Sequence, residues 1–277
     1  MKTIWAHTLV KNEERYLWFS VASVINYVDK VLIWDTGSTD KTVEIITQLQ
    51  KKYSQKIEFK EIGIVDRNGL SNARQKMLEE SDCDWILILD GDEVWWEDSI
   101  KKLIATILYK GDRLDSIVNS YVSMVGDIYH KRGVATGRYR IGNLTGHFNI
   151  RAINRKVPGL HVEKPYGKEG YFNGQSVALQ DESPEKREFI NAPYMHFSHL
   201  RRSNRVNVID RLKKYKHEIG EPLPLDYYYP EVFFRPRPLL VSDIWRPMSF
   251  SFKLHSYLET PFRMIKRNIA PRNVATK

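Results

Sequence analysis

The stretch Trp85-Ile86-Leu87-Ile88-Leu89-Asp90-Gly91-Asp92-Glu93 passes from wholly apolar to acidic within a few residues. A short apolar run of this kind fits a strand covered on both faces. Burying unpaired carboxylates is costly, so Asp90, Asp92 and Glu93 are expected at the exposed end of that strand. Two carboxylates flanking one small residue can converge on a hard divalent cation that keeps positions open for phosphate oxygens. The plainer alternative is an acidic turn after a core strand.

The residues before this stretch alternate in type. Residues 4–10 read as a strand, and Leu17, Val21, Val24, Ile25 and Val28 follow at helical spacing. Residues 30–35 form a second apolar run ending in an acid. Val43, Ile46, Leu49 and Tyr53 then mark a helix with Ser38 or Thr39 as its N-cap. Residues 57–62 read as a third strand, and Leu70, Ala73 and Met77 mark a third helix opening around Ser71. Ile100, Leu103, Ile104, Ile107 and Leu108 mark a fourth helix after the acidic stretch. This alternation predicts an α/β fold, a mostly parallel, twisted, doubly wound sheet flanked by helices. In such sheets ligands bind beyond the carboxyl ends of the strands.

Polar residues gather at those ends: Lys11-Asn12-Glu13, Asp35-Thr36-Gly37-Ser38-Thr39-Asp40, Asp66-Arg67-Asn68-Gly69 with Ser71-Asn72-Ala73-Arg74, and Asp90-Gly91-Asp92-Glu93. Asp35 can accept hydrogen bonds from ribose hydroxyls or a base edge, and Gly37 lets its turn approach a ligand closely. Arg67 and Arg74 can hold diphosphate oxygens at the positive end of a helix. Taken singly, Asp35-Thr36-Gly37-Ser38 reads equally as a turn with a helix cap, Asn12-Glu13 as a helix start, and Arg74 as a solvated cation. Four consecutive strand ends carrying such groups are harder to dismiss. A Gly-x-Gly-x-x-Gly after the first strand and a Gly-Lys-Ser/Thr loop are both missing, which weakens a dinucleotide or P-loop reading.

With those residues in view, the chain resembles the family 2 glycosyltransferases of the GT-A fold. The matching features, in order, are Val10-Lys11-Asn12-Glu13, Val31-Leu32-Ile33-Trp34-Asp35-Thr36-Gly37-Ser38-Thr39-Asp40-Lys41-Thr42, Asn72-Ala73-Arg74 and Ile88-Leu89-Asp90-Gly91-Asp92-Glu93. The resemblance implies a nucleoside-diphosphate sugar donor, a divalent metal (Mn or Mg) and transfer with inversion. In the family pattern Asn12, Glu13 and Asp35 match the nucleoside pocket, and Arg74 a position facing the diphosphate. Asp90 and Asp92 match the acidic metal motif. With Gly37, Arg67 and Asn72 these residues make up the expected donor site. More narrowly, the opening of the chain resembles the branch that includes lipopolysaccharide-core and peptide glucosyltransferases. That branch suggests a role in building cell-envelope polysaccharide, on a glycan, lipid-linked or peptide acceptor.

The second half is less regular. Residues 117–124 read as a strand reaching toward Tyr129, residues 137–144 are glycine-punctuated and basic, and 147–153 read as another strand. In Pro158-Gly159-Leu160-His161-Val162-Glu163-Lys164-Pro165, strand alternation puts His161 and Glu163 on one face. Such a pair can orient an acceptor and take its proton. Members of the resembling branch carry a Gly-x-x-His-Glu element near this place; here Val162 separates the two residues. Glu163 is the first candidate for general base, and Asp181 and Glu182 are the runners-up. The competing reading of Glu163 is a surface ion pair with Lys164 or Lys168. His196-Phe197 resembles the family's late His-aromatic step, whose histidine completes the metal site or touches the diphosphate; His199 is the alternative. A neutral imidazole suits Mn.

Past Leu200 the composition changes. Val206, Ile209, Leu212, Tyr215 and Ile219 suggest an amphipathic helix ended by Gly220. A proline- and aromatic-rich stretch follows, poor material for regular elements. Trp245, Phe250, Phe252, Leu254, Tyr257, Leu258, Phe262 and Ile265 then alternate with cations. That pattern suits a peripheral membrane contact, and equally a helix packed on the catalytic domain or a partner. The division expected is a GT-A domain over 1–200, with a nucleotide-sugar half (1–110) and an acceptor half (111–200), and a basic, aromatic-rich extension over 201–277.

Composition narrows the function classes. The formal net charge of +9 calls for an anionic partner, whether phosphorylated small molecule, membrane surface or nucleic acid. Cations spaced around an acidic rim suit nucleic acid poorly, and none is expected. The single cysteine, Cys83, excludes an internal disulfide framework and a cysteine-based zinc site, and reads as a structural thiol. No apolar run reaches membrane-spanning length, and the opening residues read as a strand, not a signal peptide. The expected location is cytoplasmic, or peripheral on the inner face of the membrane. The rival functions are a nucleotidyltransferase on an α/β sheet and a non-catalytic basic protein that binds membrane or nucleic acid.

Overall fold

β1 (Ile4–Val10) lies between β2 (Lys30–Asp35) and β4 (Trp85–Ile88) and runs parallel to both. The computed structural model describes residues 2–203 and 217–269. β3 (Ile57–Glu61) adds to β2, again parallel. This parallel half has the order 3-2-1-4, with α1 (Leu17–Val24), α2 (Thr42–Lys52) and α3 (Arg67–Glu79) as crossovers. Its inner strands are largely buried apolar runs, as strands covered on both faces must be: Trp85, Ile86 and Leu87 are each at most 1% exposed, whereas the edge strand β3 carries Glu58, Lys60 and Glu61 and is partly exposed.

The second half joins this sheet antiparallel. After the short β5 (Glu93–Trp95) and α4 (Glu97–Lys110) come β6 (Ser116–Val125) and β7 (Asp127–Lys131). The hairpins β8 (Tyr139–Ile141)–β9 (Leu144–Gly146) and β11 (His161–Glu163)–β12 (Gly170–Phe172) stand outside the main sheet. β10 (Phe148–Asn154) bridges β4 and β6. β13 (Arg187–His199) runs parallel to β6 and antiparallel to β5, and β14 (Glu221–Pro222) closes the edge on β7. The α/β class and helix-flanked twisted sheet are those expected; the antiparallel additions gather in the irregular half.

Three local expectations need correction. The α2 helix is not capped by Ser38 or Thr39: it opens at Thr42, whose N–H donates to Asp40 Oδ1 at 2.9 Å, while Ser38 Oγ accepts from the Asn12 N–H. α3 opens at Arg67, a turn before Ser71, because Asp66 caps it by accepting from the Gly69 N–H at 2.7 Å. The strand expected to reach Tyr129 breaks at Gly126, whose φ of 76° turns the chain back as β7. The amphipathic helix expected from Val206 lies mostly outside the described residues.

The proline- and aromatic-rich stretch covers α1. All of α1 is buried, with Phe19 edge-on to Phe233 at 5.3 Å; the same stretch meets the start of α4, where Trp96 Nε1 donates to the Tyr228 carbonyl at 2.9 Å. Between β14 and residue 249 its only helical turn is a 3-10 segment, Glu231–Phe234, consistent with so many prolines. Cys83 is half-buried, and burial pushes its thiol up to about 12, so it is no nucleophile at neutral pH.

Candidate active site

The carboxyl ends of β1, β2 and β4 meet above α3. Parallel register alone brings Val10 beside Asp35 and His7 beside Ile88, so the loops after these strands must converge. The first two are locked together. Asn12, in the left-handed region at φ 56°, accepts from the Thr39 N–H at 2.8 Å, and the Glu13 N–H donates to Thr42 Oγ1 at 2.8 Å. Asp35 Oδ2 accepts from the N–H groups of Gly37 and Ser38 at 2.9 and 2.8 Å, which pins the turn. Its Oδ1 is buried with no partner among the described residues. Gly37 has φ 84°, and a side chain there would meet Ile64 Cγ1 at 2.7 Å, so the close approach its sequence predicted is made by the chain itself.

Asp90 is the hub of the site. Oδ1 accepts from Arg74 Nη2 at 3.2 Å and Oδ2 from Arg151 Nη2 at 3.3 Å. Arg151, inside β10, also donates to Glu93 and, through Nε, to the Tyr194 hydroxyl at 2.9 Å. Burial opposes ionisation of Asp90, but the charges of Arg151 and Arg74 outweigh it and hold the carboxyl well below the usual range. Glu93 is fully buried, and there burial outweighs the pull of Arg151 and raises the carboxyl.

Asp92 is buried and faces two groups. Arg202 Nη1 donates to its Oδ2 at 2.7 Å and lies 2.7 Å from Glu13 Oε1. His196 Nε2 lies 3.7 Å from Asp92 Oδ1 and 3.9 Å from Glu93, because β13 pairs His196 with Glu93 across β5. Burial lowers the His196 imidazole to about 4, so it is neutral near pH 7, and its Nδ1 has no partner among the described residues. His199 lies apart from this pair, with Nε2 2.9 Å from Arg132 Nη1.

The other candidates are spread around this hub. Arg74 reaches Asp90 directly, whereas Arg67 and Asn72 are exposed on α3. β11 packs on α3, with the Val162 N–H donating to Gln75 Oε1 at 2.7 Å and Ser71 bonding the Lys164 carbonyl. Glu163 lies 3.6 Å from His161 Nε2, and both are partly exposed. Among the described residues its neighbour is this histidine, and it forms no ion pair with Lys164 or Lys168. Glu182 is tied to Asn173, and Asp181 sits in the turn that follows Ala178.

Arg151 and Arg202 escaped the sequence reading. Arg151 carried a usable signal, a lone cation inside the otherwise uncharged strand Phe148–Asn154, which is costly to bury without acids to meet it. Arg202 carried none, being one of several basic residues in its segment.

Donor chemistry at Asp92 and His196 fits a divalent cation. A carboxylate oxygen and a neutral imidazole nitrogen face each other without a hydrogen bond, and Asp90 stands behind them. As they stand, no three acidic, histidine or cysteine side chains among the described residues form a closed cation site. Arg202 occupies the second oxygen of Asp92.

Among known proteins, an uncharacterized glycosyltransferase of Rickettsia felis is 37% identical over 95 residues, which are 34% of this chain and 30% of that protein. The chain thus spans about a third of that relative's length. Staphylococcus aureus TarS 1-349 in complex with UDP-GlcNAc overlays with a TM-score of 0.49 at 12% identity, over 70% of this chain and 58% of that one. Glucosyl-3-phosphoglycerate synthase of Mycobacterium tuberculosis, in complex with Mn2+, UDP and phosphoglyceric acid, gives 0.48 at 14% identity, over 76% and 74%. Residues 7–161, more than half of the chain, match the model of glycosyl transferase family 2, and the chain belongs to that family.

Proposed function

We propose that this glycosyltransferase moves a hexose, with inversion, from a nucleoside-diphosphate sugar to a glycan, lipid-linked or peptide acceptor of the cell envelope. The observation that carries the reading is Asp90 held between Arg74 and Arg151, beside Asp92 and His196, where three parallel strands end. Asp35 Oδ1, buried and unpartnered among the described residues, is an acceptor awaiting an N–H or O–H, as a nucleoside would supply. Asn12, Glu13 and Gly37 frame that pocket. Arg74, with Arg67 and Asn72 nearer the start of α3, faces the diphosphate.

Asp92, His196 and Asp90 would hold the cation, Mn or Mg, which supplies positive charge against the departing diphosphate. Glu163, oriented by His161, takes the proton of the acceptor nucleophile. The nucleophile's oxygen bonds to the anomeric carbon as the bond from that carbon to the diphosphate oxygen breaks. In this reading residues 1–200 form the catalytic domain and 201–277 an extension to it.

A panel of nucleotide sugars, screened with Mn or with chelator for thermal shift and diphosphate release, tests the proposal. One donor should stabilise the protein and release nucleoside diphosphate. Release of pyrophosphate, or no response to any donor, overturns it. In the same assay Glu163→Gln should keep the donor-induced shift and lose transfer; intact transfer places the base elsewhere.

A further inference from the structure

The C-terminal helix, Phe250–Ile269, is turned inside out. Its protected positions are Phe252, Ser256, Glu259, Thr260 and Arg263, a spacing that follows one helical face. Apart from Phe252, that inward face is polar. It is fastened by specific bonds: the Ile219 N–H donates to Thr260 Oγ1 at 2.8 Å, Arg263 Nε donates to the His217 carbonyl at 3.2 Å, and Glu259 meets both His217 and Arg263. Phe252 plugs against the Gly126 turn, where an added Cβ would come within 2.8 Å of its ring.

The opposite face carries Phe250, Leu254, Tyr257, Leu258, Phe262 and Ile265. Phe250, Leu258 and Phe262 are 82%, 63% and 74% exposed. A surface helix ordinarily buries its apolar stripe and shows its polar one. Here the polar stripe docks the protein and a continuous apolar stripe faces away from it. Hydrogen bonds fix that orientation, so a small rotation cannot hide the stripe.

We infer that this outward face is a docking surface for an anionic phospholipid bilayer. Charge chooses among occupants. The segment carries Lys253, Arg263, Lys266 and Arg267 against one acid, Glu259; Arg263 and Glu259 pair with each other on the inward side, which leaves Lys253, Lys266 and Arg267 in excess. Two copies packed stripe to stripe would bring like charges together in a chain of net charge +9. An anionic lipid surface takes up both the apolar stripe and the cations. No helix among the described residues is long and apolar enough to cross a membrane, so the contact is one that lies on the surface. This inference is independent of the catalytic reading.

The test is flotation of the full chain with phosphatidylcholine vesicles, with and without phosphatidylglycerol. The wild type should bind the phosphatidylglycerol vesicles and release as salt rises. The triple variant Leu254→Ser, Leu258→Ser, Phe262→Ser should lose binding about tenfold or more. Lys253→Glu should weaken binding only where phosphatidylglycerol is present. Because these side chains are exposed, the unfolding midpoint should not move. Unchanged binding by the triple variant overturns the inference. So does a wild-type dimer that ignores vesicles and becomes monomeric in the triple variant, since the stripe would then serve a second copy.

Discussion

The strand-end rim and the C-terminal helix break the same rule in opposite directions. At the rim, charge is turned inward: Glu13, Asp92 and Glu93 are buried and meet Arg151 and Arg202. On the helix, apolar surface is turned outward. Neither arrangement is what folding alone favours, since buried ion pairs cost desolvation and exposed apolar stripes gain nothing from water. The rim bears its cost through mutual pairing, so its parts depend on one another. The helix makes no such demand, and its outward residues can change without harm to the fold.

The largest effect is expected at the centre of the rim. Asp92→Ala should lower donor turnover about a hundredfold or more with the fold retained; normal initial rates in Mn-containing buffer would remove Asp92 from the site. Next is Arg151→Met, which leaves Glu93 buried without its arginine and Asp90 with Arg74 alone. A loss of about 3–5 kcal/mol in denaturant unfolding is expected, and a loss like that of an exposed helix residue would erase the contrast between the regions.

Arg202→Gln sharpens the comparison further. Without added metal it should also destabilise, because Glu13 and Asp92 lose their cation. Added Mn should raise its unfolding midpoint more than it raises that of the wild type, because the ion no longer competes with a guanidinium. Equal shifts in both proteins would mean that Arg202 and the ion do not share a place.

A further effect, spread over several pH units, is expected below the rim. His7 donates to or accepts from Ser81 Oγ at 2.7 Å, and burial, with the charges of Arg74 and Arg155, lowers it to about 3. Its folded value lies below its unfolded one, so the stability it confers is whole above about pH 6.5 and drains away as the pH falls toward 3. Within that window His7 should contribute a slope of about 1.4 kcal/mol per pH unit. His7→Gln should flatten the unfolding-versus-pH curve there; an unchanged curve would show that His7 is not held neutral.

What could be read without coordinates was whatever local pattern records. Strands covered on both faces must be apolar, so residues 31–34 and 85–88 declare themselves, and the acids after them lie at a strand end as expected; that end was expected to be exposed, but Asp35, Asp92 and Glu93 are buried there, Asp92 and Glu93 because arginines from distant segments meet them. Asp35, Asp90 and Asp92 were therefore legible, as was the α/β class. Pairing across the sheet was not. Arg151 reaches Glu93 from 58 residues away and Arg202 reaches Asp92 from 110 away, distances that only the strand order and the placement of β13 beside β5 close. Competition for hydrogen bonds was equally hidden: Ser38 looks like a cap for α2, but Asn12 claims it once β1 and β2 are side by side. The orientation of the C-terminal helix is the clearest case. Its amphipathic period is written in the sequence, but which stripe meets the protein is decided by what waits there, and residues 217–219 present polar partners.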